Sequence, residues 1–119
     1  MRRVSQREER FECEALRRLA QDQPCQNCFR DDGTTVAAHS NSPDHGSGER
    51  RKAHDVFIAF LCFYCHQWLD QGRGQDPTGE YDGFHREEKQ RMWRSAFERT
   101  LLLIWRQGLV IVNPNRRKP

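Results

Sequence analysis

The sequence predicts a small α+β domain in which short strands, held by a metal site, lie between two amphipathic helices. Three observations predict this class: helical periodicity near both ends of the chain, two β-rich segments between the helices, and two Cys-x-x-Cys pairs around these segments. A chain of 119 residues has room for one domain, so we expect residues 1–119 to fold as a unit.

The composition indicates a core that needs additional stabilisation. Only 35% of the residues are hydrophobic and the mean hydropathy is −1.00, so a structural metal is a reasonable source of stability. The aromatic residues, 10% of the chain, and the clear periodic segments argue against disorder.

The sequence predicts a cytoplasmic protein with no membrane partner. No apolar run is long enough to cross a bilayer, and the charged N-terminus MRRVSQREER is not followed by the apolar stretch of a signal peptide. Thiols stay reduced in the cytosol, so the paired cysteines favour a metal site over two disulfides.

The first predicted element is an amphipathic helix over residues 5–21. Ser5 and Glu8 have the spacing of a capping box, and Pro24 marks the end of the helix. Cys13 has no partner at metal-ligand spacing, so we interpret it as a small packing residue. The apolar positions of the helix are Phe11, Ala15, Leu16 and Leu19.

The middle of the chain predicts a strand over residues 34–39, which are rich in β-branched residues, and a short helix over 63–71. Between them, residues 55–61 are apolar enough to be buried, as a strand or as a short helix, and periodicity does not decide between the two.

The C-terminal unit, residues 86–112, predicts a helix to about Gln107 and a strand over 109–112, separated by Gly108. The apolar stripe of this helix is Trp93, Phe97, Thr100, Leu101 and Ile104.

The strongest signal is the cysteine spacing. Two Cys-x-x-Cys pairs supply four thiolates, which make a closed tetrahedral zinc site, and iron is the main substitute. The 33 residues between the pairs are more than a zinc ribbon needs, so we expect a folded segment there, within a unit of residues 25–71. The predicted ligands are Cys25, Cys28, Cys62 and Cys65.

His66 directly follows the last of these cysteines but is not expected to bind the same ion. Neighbouring side chains on a helix diverge by about 100°, and four thiolates already complete the zinc site. Asp70 lies one helical turn further on and could hold the imidazole in one tautomer. His39, at the end of the predicted strand, is a second imidazole in the same unit, and such a pair could join a general base to a cation site.

This order of motifs resembles the HNH, or His-Me finger, endonucleases with a structural zinc. More narrowly, VAAHSN at 36–41, KAHD at 52–55 and CFYCH at 62–66 resemble a family of small nucleases encoded by lambdoid phages and prophages. The resemblance extends over nearly the whole chain. It implies a β-hairpin packed on a helix, and a cytoplasmic location in a bacterial host.

The resemblance also implies a metal-dependent hydrolysis of DNA. His39 matches the general base that activates water, and His66 matches the ligand of a catalytic Mg²⁺ or Mn²⁺. Many HNH proteins have a second metal ligand just before the base, whereas this chain has Ala38. Asp70, Asp55 or Asn41 would have to assist His66, or the activity is weak or lost.

Several further residues have open roles. Asn41 and Asp55 are candidates for orienting the base, and His54 and His45 are competing ligands. We interpret Asn41 and His45 as loop residues, and Asp55 as a cap for the element that begins at Val56.

DNA is the expected partner because 17 of the 20 basic residues are Arg, the better bidentate phosphate ligand. The run Arg50, Arg51 and Lys52, after an adaptable loop, is the predicted DNA contact. A non-catalytic, zinc-stabilised DNA-binding module is the alternative, and a structural protein of a phage recombination complex is a third hypothesis. The sequence leaves open whether two chains form a homodimer.

Overall fold

The computed structural model describes residues 9–110, and these residues form the predicted α+β architecture. In chain order the elements are helix α1 (Glu14–Arg18), a 3-10 turn (Leu19–Asp22), strand β1 (Val36–His39), strand β2 (Ile58–Leu61), helix α2 (Phe63–Gln71) and helix α3 (Arg86–Arg106). The strands β1 and β2 and the helices α2 and α3 agree with the predicted segments.

The two strands form an antiparallel pair in which Val36 lies opposite Leu61 and His39 lies opposite Ile58. Side chains alternate between the two faces of a sheet. One face, with Ala38 and Leu61, packs on α2 and the first half of α3. The other face packs on α1, its 3-10 turn and the end of α3.

Both faces of β2 are therefore covered, and all four of its residues are buried. A strand that is buried on both faces has no polar alternation to distinguish it from a buried helix. This explains why residues 55–61 could not be assigned from periodicity. On the edge of β2 that does not face β1, the backbone groups of Phe60 have hydrogen-bond partners. Its N–H donates to Thr100 Oγ1 at 3.0 Å, and its carbonyl accepts from the Gln26 N–H at 2.8 Å.

Helix α3 ends as predicted at Gly108, which has a φ of +63°. Its N–H donates to the Trp105 carbonyl, and the Leu109 N–H donates to the Ile104 carbonyl, which is the Schellman arrangement. Leu109 and Val110 are thus not part of a strand, and this portion of the predicted strand 109–112 is wrong. Positions 111 and 112 lie outside the described residues.

The N-terminal helix is shorter than predicted, because residues 9–13 are not helical. Their backbone pairs with the segment before β2: the Phe11 carbonyl accepts from the Asp55 N–H at 2.9 Å, and the Phe11 N–H donates to His54 Nδ1 at 2.8 Å. These long-range bonds compete successfully with helix propensity. The capping box predicted at Ser5 and Glu8 lies outside the described residues.

Leu101 also departs from the predicted apolar stripe of α3, since 44% of it is exposed. The buried positions of the helix are Met92, Trp93, Ala96, Thr100 and Ile104. Leu101 follows Thr100 directly and is rotated by about 100° away from this stripe.

Candidate metal centre and histidine sites

The four cysteines predicted as zinc ligands form one cluster, with all their sulfur atoms within 4.8 Å of one another. A Zn–S distance of about 2.3 Å in a tetrahedral site separates neighbouring sulfurs by roughly 3.8 Å. The separation of 3.6 Å between Cys28 Sγ and Cys62 Sγ is close to this value. Donor chemistry and spacing both fit a structural metal such as zinc.

Two local structures hold the ligands. Cys25 and Cys28 lie in a tight turn in which the backbone N–H groups of Asn27 and Cys28 point at Cys25 Sγ, at 3.4 and 3.5 Å. Cys62 is the N-cap of α2 and Cys65 lies in its first turn, where the His66 N–H donates to the Cys62 carbonyl. A turn and a helix start therefore face each other across the site.

The pKa values of the clustered thiols depend on burial and on a hydrogen bond between two of them. A hydrogen bond from Cys65 lowers the pKa of Cys25 to about 4. The pKa of Cys65 is raised because its proton is held in that bond and its side chain is buried. Burial likewise raises the pKa of Cys62 to about 11. The protein alone thus disfavours ionisation of Cys62 and Cys65, and a bound cation would offset this cost.

A support for this centre that sequence reasoning missed is Asn27. Its buried amide Nδ2 lies 3.3 Å from Cys65 Sγ and donates to Asp76 Oδ2 at 2.8 Å. Asp76 is itself buried and accepts the N–H groups of Thr78, Glu80 and Tyr81. The Asp-Pro-Thr-Gly sequence at 76–79 is a turn signal, but its contact with the cysteine pair is long-range.

The pKa of Asp76 follows from these contacts. Burial acts to raise it, but the hydrogen bonds from Asn27, Tyr81 and Thr78 outweigh burial and hold the pKa below its usual value. An ionised Asp76 is a strong acceptor, so it fixes the amide that points at the cysteine sulfur.

His39 lies at the end of β1, and its Nε2 is 2.8 Å from Asp55 Oδ1. An ionised carboxylate only accepts hydrogen bonds, so in the neutral imidazole His39 Nε2 carries the hydrogen and the lone pair is on Nδ1. His39 shares the sheet face of Ala37 and Phe60, whereas Ala38 points to the face that α2 covers.

Asp55 is fully buried and is not a cap for the element that follows, as the sequence suggested. Its carboxylate accepts from the Cys13 N–H at 2.6 Å and pairs with Arg10 at 2.9 Å and Arg17 at 3.1 Å, in addition to His39. The reason is the N-terminal segment, which runs beside residues 53–55 and brings these donors to the carboxylate. Burial alone would raise the pKa of Asp55, but the hydrogen bonds from His39 and Cys13 and the two arginine charges lower it below its usual value.

His66 and Asp70 lie one turn apart on α2, with His66 Nε2 3.6 Å from Asp70 Oδ2. Their side chains are 39% and 52% exposed, so both are accessible to a ligand. Within residues 9–110 the four cysteines are the one group of three or more Cys, His, Asp or Glu side chains close enough to share an ion. His66 and Asp70 are two potential metal ligands, and they follow the last cysteine of that cluster in the sequence.

The other two histidines of this unit have packing contacts. His45 stacks on Phe57 with 4.1 Å between ring centroids, and its Nδ1 lies 2.6 Å from Ser40 Oγ. His54 is buried and accepts from the backbone of Phe11. Gly46, with a φ of +92°, lies against the ring of His54, where a Cβ would be 2.7 Å from Cδ2. These contacts account for His45 and for Nδ1 of His54, whereas His54 Nε2 is buried without a hydrogen-bond partner among residues 9–110.

A groove of about 550 Å³ is lined by the loop that follows His39, by the end of α2 and by the first half of α3, and neither His39 nor His66 lines it. Asn41 is exposed in the loop that forms one wall, and Asp70 lies on another wall. Arg50 and Lys52 are exposed and Arg51 is partly buried, and none of the three lines this groove.

No helix within the described part of the chain, residues 9–110, is long and apolar enough to span a membrane. Comparisons with models of protein families, with curated proteins and with solved structures find no match to this chain.

Proposed function

We propose that this chain is a metal-dependent DNA endonuclease of the HNH, or His-Me finger, type. The observation that carries the proposal is the 2.8 Å contact between His39 at the end of β1 and the buried carboxylate of Asp55. The strand pair leads directly into α2, which carries His66, and the cysteine cluster lies at the start of that helix.

His39 is the general base of the proposed reaction. Asp55 holds its Nε2 hydrogen, which leaves Nδ1 to accept a proton from water. Three hydrogen-bond donors and the charge of Arg17 keep the Asp55 carboxylate ionised and fixed. A fixed acceptor sets both the tautomer and the orientation of the imidazole, as a general base requires.

His66 and Asp70 would hold the divalent ion. Mg²⁺ usually keeps several waters and binds proteins through one or two side chains, so an accessible pair of donors is compatible with it. When bound, Mg²⁺ or Mn²⁺ neutralises phosphate charge and stabilises the leaving oxygen. Ala38 is buried in the core and supplies no ligand.

The cysteine cluster has a structural role in this proposal. Zinc bound by Cys25 and Cys28 on the turn and by Cys62 and Cys65 on α2 joins the two segments. The same ion therefore fixes the start of the helix on which His66 lies.

Cleavage of supercoiled plasmid and of branched DNA with Mg²⁺ or Mn²⁺ tests the proposal. We expect the wild-type protein to nick or cut DNA and the variant His39→Ala to lose at least about a hundredfold in rate. The variant His85→Ala is the matched control, because the His85 imidazole is 67% exposed and, among residues 9–110, forms an ion pair with Asp82 alone. Cleavage that persists in His39→Ala and in His66→Ala would falsify the proposed mechanism.

A non-catalytic DNA-binding module is the second candidate, and Ala38 is the observation that favours it. With this position apolar and 1% exposed, the ion would rely on a single histidine and carboxylate pair. This candidate predicts salt-dependent DNA binding without cleavage by any divalent ion. Binding of Mn²⁺ at His66, detected by paramagnetic broadening that is lost in His66→Ala, would count against it.

A further inference from the structure

We propose that the groove between the Ser40–His45 loop and the first half of α3 binds the backbone of DNA, with Arg86, Lys89 and Arg94 contacting successive phosphates. This inference rests on the proposed function only for the identity of the ligand, DNA. It replaces the run Arg50–Lys52, predicted from the sequence, as the main contact.

The three basic residues lie on one face of α3. At 100° per residue, positions 86, 89 and 94 fall within an arc of about 140°. All three line the groove, together with Trp93, which lies between them on the same face. The sequence alone does not reveal this face, because Glu87, Glu88 and Arg91 are interspersed along the helix.

The spacing of the basic residues fits a nucleic-acid strand. With a rise of about 1.5 Å per residue, Arg86 and Arg94 are about 12 Å apart along the axis of α3. One strand of duplex DNA has a phosphate for about every 3.4 Å of its axis. A duplex whose axis follows the helix would therefore present about four phosphates of one strand over this length, which is enough for the three cations.

The charges of the groove are available to a ligand. Within residues 9–110 the guanidinium groups of Arg86 and Arg94 form no ion pair, whereas Arg91 on another face pairs with Glu88 at 2.6 Å. The ammonium group of Lys89 lies 5.5 Å from the centroid of the Trp68 ring. Asp44 and Asp70 also line the groove, so three cations face two carboxylates and the balance favours an anion.

The groove adjoins the end of β1 on the side of the sheet that α2 covers, whereas the His39 side chain lies on the opposite face. The floor residue Trp93 donates from Nε1 to the carbonyl of Ala38 at 3.0 Å, which fixes α3 against β1 one residue before His39. The next residues, Ser40 and Asn41, form part of the groove wall. Asp70, the partner of His66, lies on another wall. A strand held in the groove therefore contacts α2, which carries His66, and the loop that follows β1, although neither proposed catalytic histidine lines the groove.

Binding of a short fluorescein-labelled DNA duplex, measured by fluorescence anisotropy without added divalent ion at several salt concentrations, tests the inference. We expect the triple variant Arg86→Gln/Lys89→Gln/Arg94→Gln to lose about tenfold or more in affinity and to reduce the salt slope by about 0.9 for each lost contact. The control Arg18→Gln/Arg73→Gln/Arg106→Gln removes the same charge from exposed positions outside the groove and should bind as the wild type does. Zinc content and circular dichroism confirm that each variant is folded, and Arg94→Gln alone replaces the triple variant if that variant does not fold.

The outcomes separate this inference from the proposed function. Equal losses of DNA affinity in the groove variant and the control would show that binding depends on the overall positive charge of the protein, and this would overturn the inference. The same holds if the main loss occurs in Arg50→Gln/Arg51→Gln/Lys52→Gln, or if the groove binds duplex RNA in preference to DNA. If the wild type cleaves DNA through His39 while the groove variant binds DNA normally, the inference fails and the nuclease function stands. A wild type that binds no DNA overturns both.

Discussion

His39 Nε2 and Asp55 Oδ1 are 2.8 Å apart, although 16 positions of sequence separate the two residues. The contact is possible because β2 returns antiparallel to β1 and places the start of β2 beside the end of β1. The N-terminal segment then adds Arg10, Cys13 and Arg17 to the same carboxylate. One buried acidic group thus organises three separate parts of the chain.

Replacing this carboxylate should destabilise the fold. We expect Asp55→Asn to lower the free energy of unfolding by about 3 kcal/mol, because two arginines lose their buried counter-charge. Urea denaturation measures the change. Asp70→Asn removes an exposed carboxylate and should change stability by less than about 0.5 kcal/mol. Similar effects of the two substitutions would contradict the central role of Asp55.

The stabilisation by Asp55 should depend on pH. Its pKa in the folded state is lowered, so its contribution is fully present above the unfolded value of about 3.9 and is lost as pH falls through the folded pKa. The difference in unfolding free energy between wild type and Asp55→Asn should therefore be constant near neutral pH and shrink below about pH 4. Both proteins keep the same cysteines, so acid release of metal cancels in this difference. A difference in unfolding free energy that increases on acidification would contradict a lowered pKa of Asp55 in the folded state.

The metal content should depend on the four clustered cysteines and not on the fifth. Wild-type protein should contain one zinc per chain by elemental analysis, because four thiolates complete one site. Cys62→Ser should lose the metal and much of the cooperative unfolding transition. Cys13→Ser should retain the metal, since Cys13 contributes its backbone N–H to Asp55 and its thiol lies outside the cluster.

Asn27 should tune the affinity for that metal. Its amide lies between Cys65 Sγ and Asp76, so Asn27→Ala should weaken zinc binding by about 10- to 100-fold in a competition with a chromogenic chelator. Gln67→Ala, which removes an exposed amide from α2, is the matched control. Unchanged affinity in Asn27→Ala would show that the contact does not support the ligand.

Introducing an acidic residue at position 38, directly before the proposed base, should not increase DNA cleavage. Ala38 is 1% exposed and packs in the core, so Ala38→Asp should cost roughly 3 kcal/mol or more of stability through burial of an unpaired charge. Val36→Asp, on the same strand at a position that is 40% exposed, should cost clearly less. Thermal unfolding compares the two, and increased cleavage by a stable Ala38→Asp variant would contradict this prediction.

The local features of the chain could be predicted because they depend on short-range rules. Cys-x-x-Cys spacing predicts the cluster of Cys25, Cys28, Cys62 and Cys65, since each pair already has the geometry of two ligands on one turn. The spacing of four residues between His66 and Asp70 predicts their contact on α2, because a helix brings such side chains together.

The tertiary structure was needed wherever a long-range contact overrides a local preference. Residues 9–13 carry a helical pattern, yet their backbone bonds with His54 and Asp55 keep them out of the helix. Asp55 has the sequence context of a cap and becomes the buried partner of His39. Arg86, Lys89 and Arg94 look like an ordinary solvated helix face until the packing of Trp93 on β1 places them along a groove. Spacing along the chain determines which residues share a turn or a helix face, whereas the packing of separate elements determines which faces meet.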